Sequence, residues 1–265
     1  MAPLAPGPLI TITHGVLRVT IAPQAGGRIA QIQHDGVDHL IGYDKNTAAM
    51  IAWGSYPMVP WAGRIRHGRF EFRGHAYQLP LNLAPHAIHG VAFALPWSVQ
   101  KHEAGVVELA LALPEDESWP FGGTAHQRIV AGDDRLEMTL SVRAGQSAMP
   151  VVVGWHPWFR KPERFHFSPS RIYPRDDEGI ATLPLADPPP GPWDDCFINH
   201  DVVTLQLAGQ RLRLSSDCLH WVVYDATTFA TCIEPQSGPP DAFNLEPTMV
   251  SPGASFQRQF LIEWQ

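Results

Sequence analysis

The chain has 265 residues, of which 45% are hydrophobic and 17% are charged, and its net charge is −7. This composition supports a large buried core and argues against a disordered chain or a coiled coil. The length suits one large β-sandwich or barrel. Because the 19 basic residues form no block, nucleic acid and anionic membranes are not expected as partners.

The cysteine pattern and the N-terminus bear on the cellular compartment. Cys196, Cys218 and Cys232 form no CxxC pair, which argues against a disulfide framework and against a zinc site built from cysteines. Residues 1–8 are rich in proline, and their apolar run is too short for a signal peptide. No segment has the roughly 18 uninterrupted apolar residues of a membrane span. We therefore expect a cytoplasmic protein, with residues 1–8 as a flexible N-terminal extension.

Several β-hairpins are predicted in chain order, because runs of alternating apolar and polar residues flank short turn segments rich in Gly and Asp. Their paired arms are residues 29–34 and 37–41, 69–72 and 76–79, 127–131 and 136–142, and 202–207 and 211–214. A final strand contains Phe256, Phe260 and Ile262. The pattern gives about twelve strand candidates or more and no amphipathic helix, which disfavours a parallel βαβ sheet.

The predicted fold class is therefore all-β, in the form of a large antiparallel β-sandwich. The loop that is richest in proline covers residues 184–192 and includes the segment Asp187-Pro188-Pro189-Pro190-Gly191-Pro192. With Pro184, it contains five of the 26 prolines. Hairpin patterns continue on both sides of this loop without a change in composition. We interpret it as a stiff loop within one domain that spans residues 1–265.

Two segments in the first half of the chain hold polar side chains between apolar or glycine neighbours. Arg64 lies in residues 60–70, where its rigid donor fork either binds a ligand or belongs to a solvated basic hairpin. His86 and His89 are three residues apart, but no carboxylate or cysteine stands nearby and there is no HExxH pattern, so a metal site is disfavoured. A neutral imidazole that hydrogen-bonds a ligand hydroxyl is the better interpretation.

Three segments in the second half add candidate acids and bases. His156, among the aromatic residues of 154–159, is either a satisfied core histidine or a proton donor tuned by its pocket. Glu234 ends an apolar strand and precedes a proline, so it is either a surface acid or a desolvated base with a raised pKa. Asp194 and Asp195 are weaker candidates, because adjacent aspartates are common in solvated turns.

Other chemistries lack their motifs. There is no glycine-rich phosphate loop and no GxSxG elbow, so nucleotide cofactors and acyl-enzyme chemistry are not supported. General acid/base work by one histidine and one glutamate in an aromatic pocket is what the pattern favours.

Taken in order from residue 26 to the final strand, these segments resemble the aldose 1-epimerase (galactose mutarotase) family. The matching motifs are Gly26-Gly27-Arg28-Ile29, Pro60-Trp61-Ala62-Gly63-Arg64-Ile65, Gly68-Arg69-Phe70, Ile88-His89-Gly90, Gly154-Trp155-His156-Pro157-Trp158-Phe159, Asp194-Asp195-Cys196-Phe197, Ile233-Glu234-Pro235 and Asp241-Ala242-Phe243-Asn244. Gly63 stands where the longer sugar mutarotases of the family usually have Asn. The segment after His156 also departs from their pattern, so the chain resembles a shorter branch of the family.

The resemblance implies an antiparallel β-sandwich with an active site in an open cleft, with no cofactor and no metal. It implies that His156 is the general acid and Glu234 the general base. Arg64 and His89 match positions that bind sugar hydroxyls, and Asp194 matches a substrate-binding aspartate, with Asp195 as the alternative register. We also expect three tryptophans to shape the substrate pocket, namely Trp155, Trp158 and Trp193.

The resulting expectation is an isomerase that interconverts the α and β anomers of a reducing sugar. One alternative is a hexose-6-phosphate 1-epimerase, in which Arg66, Arg69 and Arg73 would supply the cationic pocket for the phosphate. A second is a non-catalytic carbohydrate-binding protein of the same fold, and a structural modifier domain is a third. The identity of the sugar and the oligomeric state are left open.

Overall fold

The computed structural model describes residues 3–46 and 49–265. Its helices are one α-helical turn, α1 (Ala242–Leu245), and two 3₁₀ turns, Arg66–Gly68 and Ala92–Ala94. The strands are β1 (Ile10–His14), β2 (Leu17–Ala22), β3 (Arg28–His34), β4 (Val37–Asp38), β5 (Ser55–Met58), β6 (Arg64–Ile65), β7 (Arg69–Phe72), β8 (His75–Gln78), β9 (Ala87–Ile88), β10 (Ser98–Glu103), β11 (Val106–Ala112), β12 (Thr124–Gly132), β13 (Arg135–Arg143), β14 (Met149–Val151), β15 (Gly154–Arg160), β16 (Arg164–His166), β17 (Arg171–Tyr173), β18 (Asp194–Ile198), β19 (Val203–Leu207), β20 (Gln210–Ser216), β21 (His220–Tyr224), β22 (Ala230–Gln236), β23 (Thr248–Val250) and β24 (Ser255–Trp264). None of the helices in these residues is long and apolar enough to cross a lipid bilayer.

Two large antiparallel sheets form the body of the protein. The first sheet has the strand order β1-β2-β3-β5-β15-β22-β21-β18-β17, with β4 added beside β3. The second sheet has the order β10-β11-β12-β13-β24-β20-β19-β16. Three two-stranded sheets, β6-β9, β7-β8 and β14-β23, lie outside them. The predicted fold class, a large antiparallel β-sandwich, is confirmed.

The core lies between the two sheets, where alternate residues of each strand are removed from water. In β13, Leu136, Met138, Leu140 and Val142 are buried and the residues between them are not. From the neighbouring β24, the ring of Phe260 lies 5.8 Å from that of Trp155 in the first sheet. This period of two follows from the pleat of a strand, which turns successive side chains to opposite faces.

The predicted hairpins are confirmed, although the ends of several strands differ from the predicted bounds. The pairs β3–β4, β7–β8, β12–β13 and β19–β20 each join antiparallel neighbours across the expected turn. The second arm of the first hairpin ends at Asp38 rather than at residue 41. The chain leaves β3 there because Leu40 instead forms an isolated bridge with Phe159 of β15.

Two further predictions concern the proline-rich loop, expected to lie within one domain, and residues 1–8, expected to be a flexible extension. The strands on either side of the loop, β17 and β18, are adjacent partners in the first sheet. Residues 1 and 2 of the expected N-terminal extension lie outside the described residues, and Leu4 packs against a small buried cluster that includes Trp53. A single domain over residues 1–265 stays a prediction.

Candidate active site

Two central strands of the first sheet bring the predicted acid and base together. β15 and β22 are antiparallel neighbours, and they carry His156 and Glu234 respectively. His156 Nε2 lies 3.2 Å from Glu234 Oε1. The two residues are 7% and 2% exposed, so neither behaves as a surface group. The interpretation of Glu234 as a solvated surface acid is therefore wrong.

Both side chains line a cavity with a volume of about 290 Å³. The polar residues of its wall are Arg64, His89, His156, Asp194, Glu234 and Gln236. The apolar part of the wall includes Ile51, Trp158 and Tyr224. A small concave site with an apolar surface and a few convergent polar groups is typical of small-molecule recognition. His156 therefore belongs to a pocket wall as well as to a buried strand.

The imidazole of His156 is enclosed by aromatic rings. Tyr56, its direct partner on β5, stacks on one side at a centroid distance of 4.7 Å, and Trp158 is stacked at 5.5 Å. The ring of His89 meets it edge-on at 5.0 Å. Burial lowers the pKa of His156 to about 3, and the positive charge of Arg28 contributes to the lowering. Aromatic faces attract a cation, so the stacked rings favour a transient imidazolium.

Arg28 is the buried cation behind this histidine. Its guanidinium donates hydrogen bonds to the backbone oxygens of Ala25, Met50, Trp53 and Phe93, at 2.6 to 3.1 Å. It lies 5.1 Å from the centre of the Tyr56 ring. Within residues 3–46 and 49–265, no acidic side chain lies within ion-pair distance of it. Arg28 therefore ties several segments together behind the cavity.

Glu234 is a desolvated carboxyl group with one hydrogen-bond donor. Burial raises the pKa of Glu234 well above its usual value, and the nearby charge of Asp194 raises it further. The side chain of Gln236 opposes this shift, because Nε2 donates a hydrogen bond to Glu234 Oε2 at 3.1 Å. The raised pKa of Glu234 and the lowered pKa of His156 both favour Glu234 as the site of the pair's proton.

A tight turn places Arg64 and His89 at the cavity. Gly63 has φ of +68°, and a β-carbon there would lie 2.8 Å from Cβ of Pro240. Its N–H donates to His89 Nδ1 at 3.3 Å, and its carbonyl oxygen accepts from the His89 backbone N–H at 3.0 Å. The positive φ and the contact with Pro240 both favour glycine at this position.

The hydrogen bond from Gly63 to His89 Nδ1 also determines which atom of the ring can donate a hydrogen bond to a ligand. Because burial and then the positive charges of His156 and Arg64 lower the pKa of His89 well below its usual value, the ring is neutral. Nδ1 accepts from Gly63, so the proton sits on Nε2, which is left as a donor. This agrees with the expectation of a neutral imidazole.

The segment that contains Asp241 holds the loop that carries Arg64. The backbone N–H of Asp241 donates to the Arg64 carbonyl oxygen at 2.6 Å. Asp241 Oδ1 accepts from the backbone N–H of Arg66 at 2.9 Å and from Asn244 Nδ2 at 2.8 Å. The residues of the motif at 241–244 therefore act on the backbone of the Arg64 loop, which sequence analysis did not assign.

Of the two adjacent aspartates, Asp194 lines the cavity and Asp195 does not. Arg175 does not line the cavity and forms an ion pair with each aspartate. Its Nη1 lies 2.7 Å from Asp194 Oδ2, and its Nε lies 3.2 Å from Asp195 Oδ1. The position of the cavity favours the Asp194 register for substrate contact.

Two of the three predicted pocket tryptophans do not line this cavity. Trp155 is 1% exposed and packs on Phe260 in the core, because it precedes His156 on a strand and faces the opposite side. Trp193 packs among three phenylalanines, of which Phe197 is one, and its Nε1 donates to the Pro189 carbonyl oxygen at 2.8 Å. Neither position favours a contact with substrate.

The third expected tryptophan, Trp158, does line the cavity, and Gln236 is a wall residue that sequence analysis missed. Trp158 follows His156 by two residues on β15, and Gln236 follows Glu234 by two on β22. The same period of two that removes Trp155 from the cavity identifies both of them. Tyr56 comes from a distant strand and had no local signal.

Comparison with known proteins settles the family. The aldose 1-epimerase family model matches residues 8–263. The chain belongs to the aldose 1-epimerase family. Among curated relatives, the Escherichia coli K12 protein YphB is 30% identical over 154 residues, which are 57% of this chain and 51% of YphB. That match thus spans about half the length of the relative.

Solved structures of this family share the fold. A galactose mutarotase-like protein from Clostridium acetobutylicum superposes with a TM-score of 0.88 at 19% identity, covering 97% of this chain and 95% of the other. A galactose 1-epimerase from Lactobacillus acidophilus NCFM superposes with a TM-score of 0.83 at 16% identity, covering 97% and 94%. At these sequence identities, the superpositions show that the proteins share a fold.

Proposed function

We propose that this member of the aldose 1-epimerase family is a mutarotase that interconverts the α and β anomers of a free reducing sugar. The observation that carries the proposal is the buried pair of His156 and Glu234, whose reactive atoms lie 3.2 Å apart in the cavity wall. The anomeric carbon is bonded to both the anomeric hydroxyl oxygen and the ring oxygen. The base that deprotonates the first and the acid that protonates the second must therefore lie close together. The pair meets this requirement.

The reaction needs two proton transfers in each direction. The pair's proton first moves from Glu234 to His156 across the 3.2 Å between Oε1 and Nε2. The Glu234 carboxylate then takes the proton of the anomeric hydroxyl while the His156 imidazolium donates its proton to the ring oxygen, and the bond between the anomeric carbon and the ring oxygen breaks. The open aldehyde turns about the adjacent carbon–carbon bond. Reclosure on the other face reverses both transfers, so the pair ends with the one proton it began with. Each positioned group supplies about 10²–10⁴-fold.

The rest of the wall fits a sugar ring. Arg64, the Nε2–H of His89, Asp194 and the amide of Gln236 present donors and acceptors to hydroxyl groups. Gln236 Oε1 is buried and has no hydrogen-bond partner among the described residues, which leaves it as an acceptor for a hydroxyl. Trp158, stacked against His156, offers an apolar surface to the C–H face of the ring.

The charges around the cavity favour a free sugar over a sugar phosphate. The arginines considered for a phosphate pocket do not line the cavity: Arg66 pairs with Asp176 and Glu178, Arg69 Nε donates to Gln78 Oε1 at 2.8 Å, and Arg73 lies in an exposed hairpin turn. Asp194 and Glu234 add carboxyl groups that a phosphate would have to face. Phosphate recognition needs convergent cations.

A non-catalytic binding protein is the second candidate. Aromatic and polar walls suit it equally, but such a protein gains nothing from a desolvated acid beside a desolvated base. Burying ionisable groups is costly, and strongly shifted pKa values cluster at catalytic sites. The buried pair therefore favours the enzyme.

The proposal is tested by polarimetry of freshly dissolved α-D-glucose, α-D-galactose, an aldopentose and a hexose 6-phosphate at neutral pH. We expect faster relaxation of at least one free sugar, with a smaller effect on the phosphate. Binding of a sugar without any acceleration would support the binding protein instead, and acceleration confined to the phosphate would support the 6-phosphate epimerase.

We also propose a cytoplasmic location. Cys196, Cys218 and Cys232 are all unpaired in the described part of the chain, as in proteins of reducing compartments. Measuring the enzyme in fractionated cells tests this point, and recovery from an oxidising compartment would contradict it.

A further inference from the structure

A third potential ligand lies beside the acid/base pair. Cys232 precedes Glu234 by two residues on β22, and its register partner on β15 is Trp158. One ligand atom from each of Cys232, His156 and Glu234 lies within 4.8 Å of the other two, and all three residues are buried. The mutarotase mechanism uses the histidine and the glutamate but has no role for the thiol.

The three side chains have free capacity to coordinate. Cys232 is a free thiol, fully buried, and forms no disulfide in the residues that the structure describes. His156 Nε2 and Glu234 Oε1 face each other at 3.2 Å, and among the described residues neither atom is hydrogen-bonded to a third side chain. No fixed interaction with a third residue therefore has to be broken at these atoms before an ion can enter from the cavity.

We propose that Cys232, His156 and Glu234 form a binding site for Zn²⁺ or a similar thiophilic divalent ion, which inhibits the enzyme reversibly. Imidazole nitrogen, thiolate and carboxylate are the ligand types that Zn²⁺ takes. Tetrahedral bonds of about 2.0–2.3 Å place neighbouring ligand atoms about 3.5 Å apart, so a small rotation of side chains closes the site. Mg²⁺ and Ca²⁺ prefer oxygen ligands and are not expected to bind there.

The ion is an inhibitor in this proposal and not a cofactor. It takes the lone pairs with which His156 and Glu234 exchange protons, and the thiol proton of Cys232 and the proton of the pair leave to solvent as it binds. Because His156 and Glu234 line the cavity, we expect the fourth coordination position to open to it, where water or a sugar oxygen would complete the tetrahedron. The inhibitory effect rests on the proposed mutarotase function, whereas the binding itself does not.

The binding is tested with Co²⁺, whose bond to a thiolate gives a charge-transfer absorption band in the near ultraviolet. We expect the purified protein to bind one equivalent of Co²⁺ with this band, and Zn²⁺ to displace it. Cys232→Ser and Cys232→Ala are expected to lose the band. Cys218→Ser, which removes a buried thiol elsewhere, is the matched control and is expected to keep it.

The inhibition is tested by polarimetry with the same variants. We expect Zn²⁺, but not Mg²⁺, to slow mutarotation in competition with the sugar, and the Cys232 variants to need at least about tenfold more Zn²⁺. A cobalt band that persists in both Cys232 variants, no saturable binding by the unaltered protein, or equal inhibition of all variants would overturn the proposal. A protein that turns over no sugar would refute the mutarotase function, and the cobalt titration would still decide the metal site.

Discussion

Replacing Glu234 with Gln separates the catalytic role of the carboxyl group from its structural cost. The amide is nearly the same shape and keeps an acceptor for the N–H of Gln236. Loss of a positioned general base costs about 10²–10⁴-fold in rate, or about 3–5 kcal/mol of transition-state stabilisation. We therefore expect mutarotation by Glu234→Gln to fall by at least two orders of magnitude, as a rough lower bound.

The same change is expected to stabilise the folded protein at neutral and alkaline pH. The pKa of Glu234 is raised in the folded state, so its contribution to stability is fully present below the unfolded pKa near 4.5 and is lost as the pH rises through the folded pKa. Each unit of the pKa difference corresponds to about 1.4 kcal/mol. Gln does not ionise, so the stability advantage of the variant should grow as the pH rises from about 5 to about 8.

The assay combines polarimetry with urea denaturation at both pH values, and Glu108→Gln, on an exposed part of the second sheet, is the control that should change neither. Near-normal mutarotation by Glu234→Gln would refute the assignment of the base. A lost rate together with a lower free energy of unfolding at both pH values would mean that Glu234 acts structurally.

Three further predictions concern the surroundings of the pair. The mutarotation rate should not decline as the pH falls from about 7 to about 5, since the pKa of His156 is about 3, and it should decline on the alkaline side as the pH rises through the raised pKa of Glu234; a loss toward acid pH centred near 6.5, where an ordinary histidine titrates, would contradict this. Gly63→Ala should raise KM and lower the free energy of unfolding by about 1–3 kcal/mol, because of its positive φ and its contact with Pro240; an unchanged KM would count against the role of this turn. Arg28→Met should lower the free energy of unfolding in urea by at least about 3 kcal/mol, since four carbonyl oxygens lose their donor, and a neutral result would show that water replaces it.

The hairpins were predictable because their information is local. Asp35-Gly36 and the turn at residues 133–134 supply the backbone conformations that short turns require, and the alternation in β13 marks its buried face. The partners of β15 were not predictable, because β5 and β22 come from distant parts of the chain. The stacking of Tyr56 on His156 follows from that pairing alone.

The wrong placement of Trp155 has a related cause. β15 is buried on both faces over residues 154–159, so its sequence is apolar or aromatic throughout and shows no alternation. Without alternation, the side that faces the cavity follows only by counting in steps of two from a residue already assigned to the site, such as His156. Trp193 was wrongly predicted to line the pocket because the sequence around a candidate aspartate does not distinguish an aromatic residue that packs on Phe197 from one that contacts a ligand.

Local sequence patterns are enough to predict the all-β class, the hairpins and the set of side chains able to move protons or bind hydroxyls. The tertiary fold is what brings His156 within 3.2 Å of Glu234, places Cys232 beside them and buries all three. The physical reason is that burial sets the pKa values of the pair, and burial at this point is produced by strands that lie far apart in the chain.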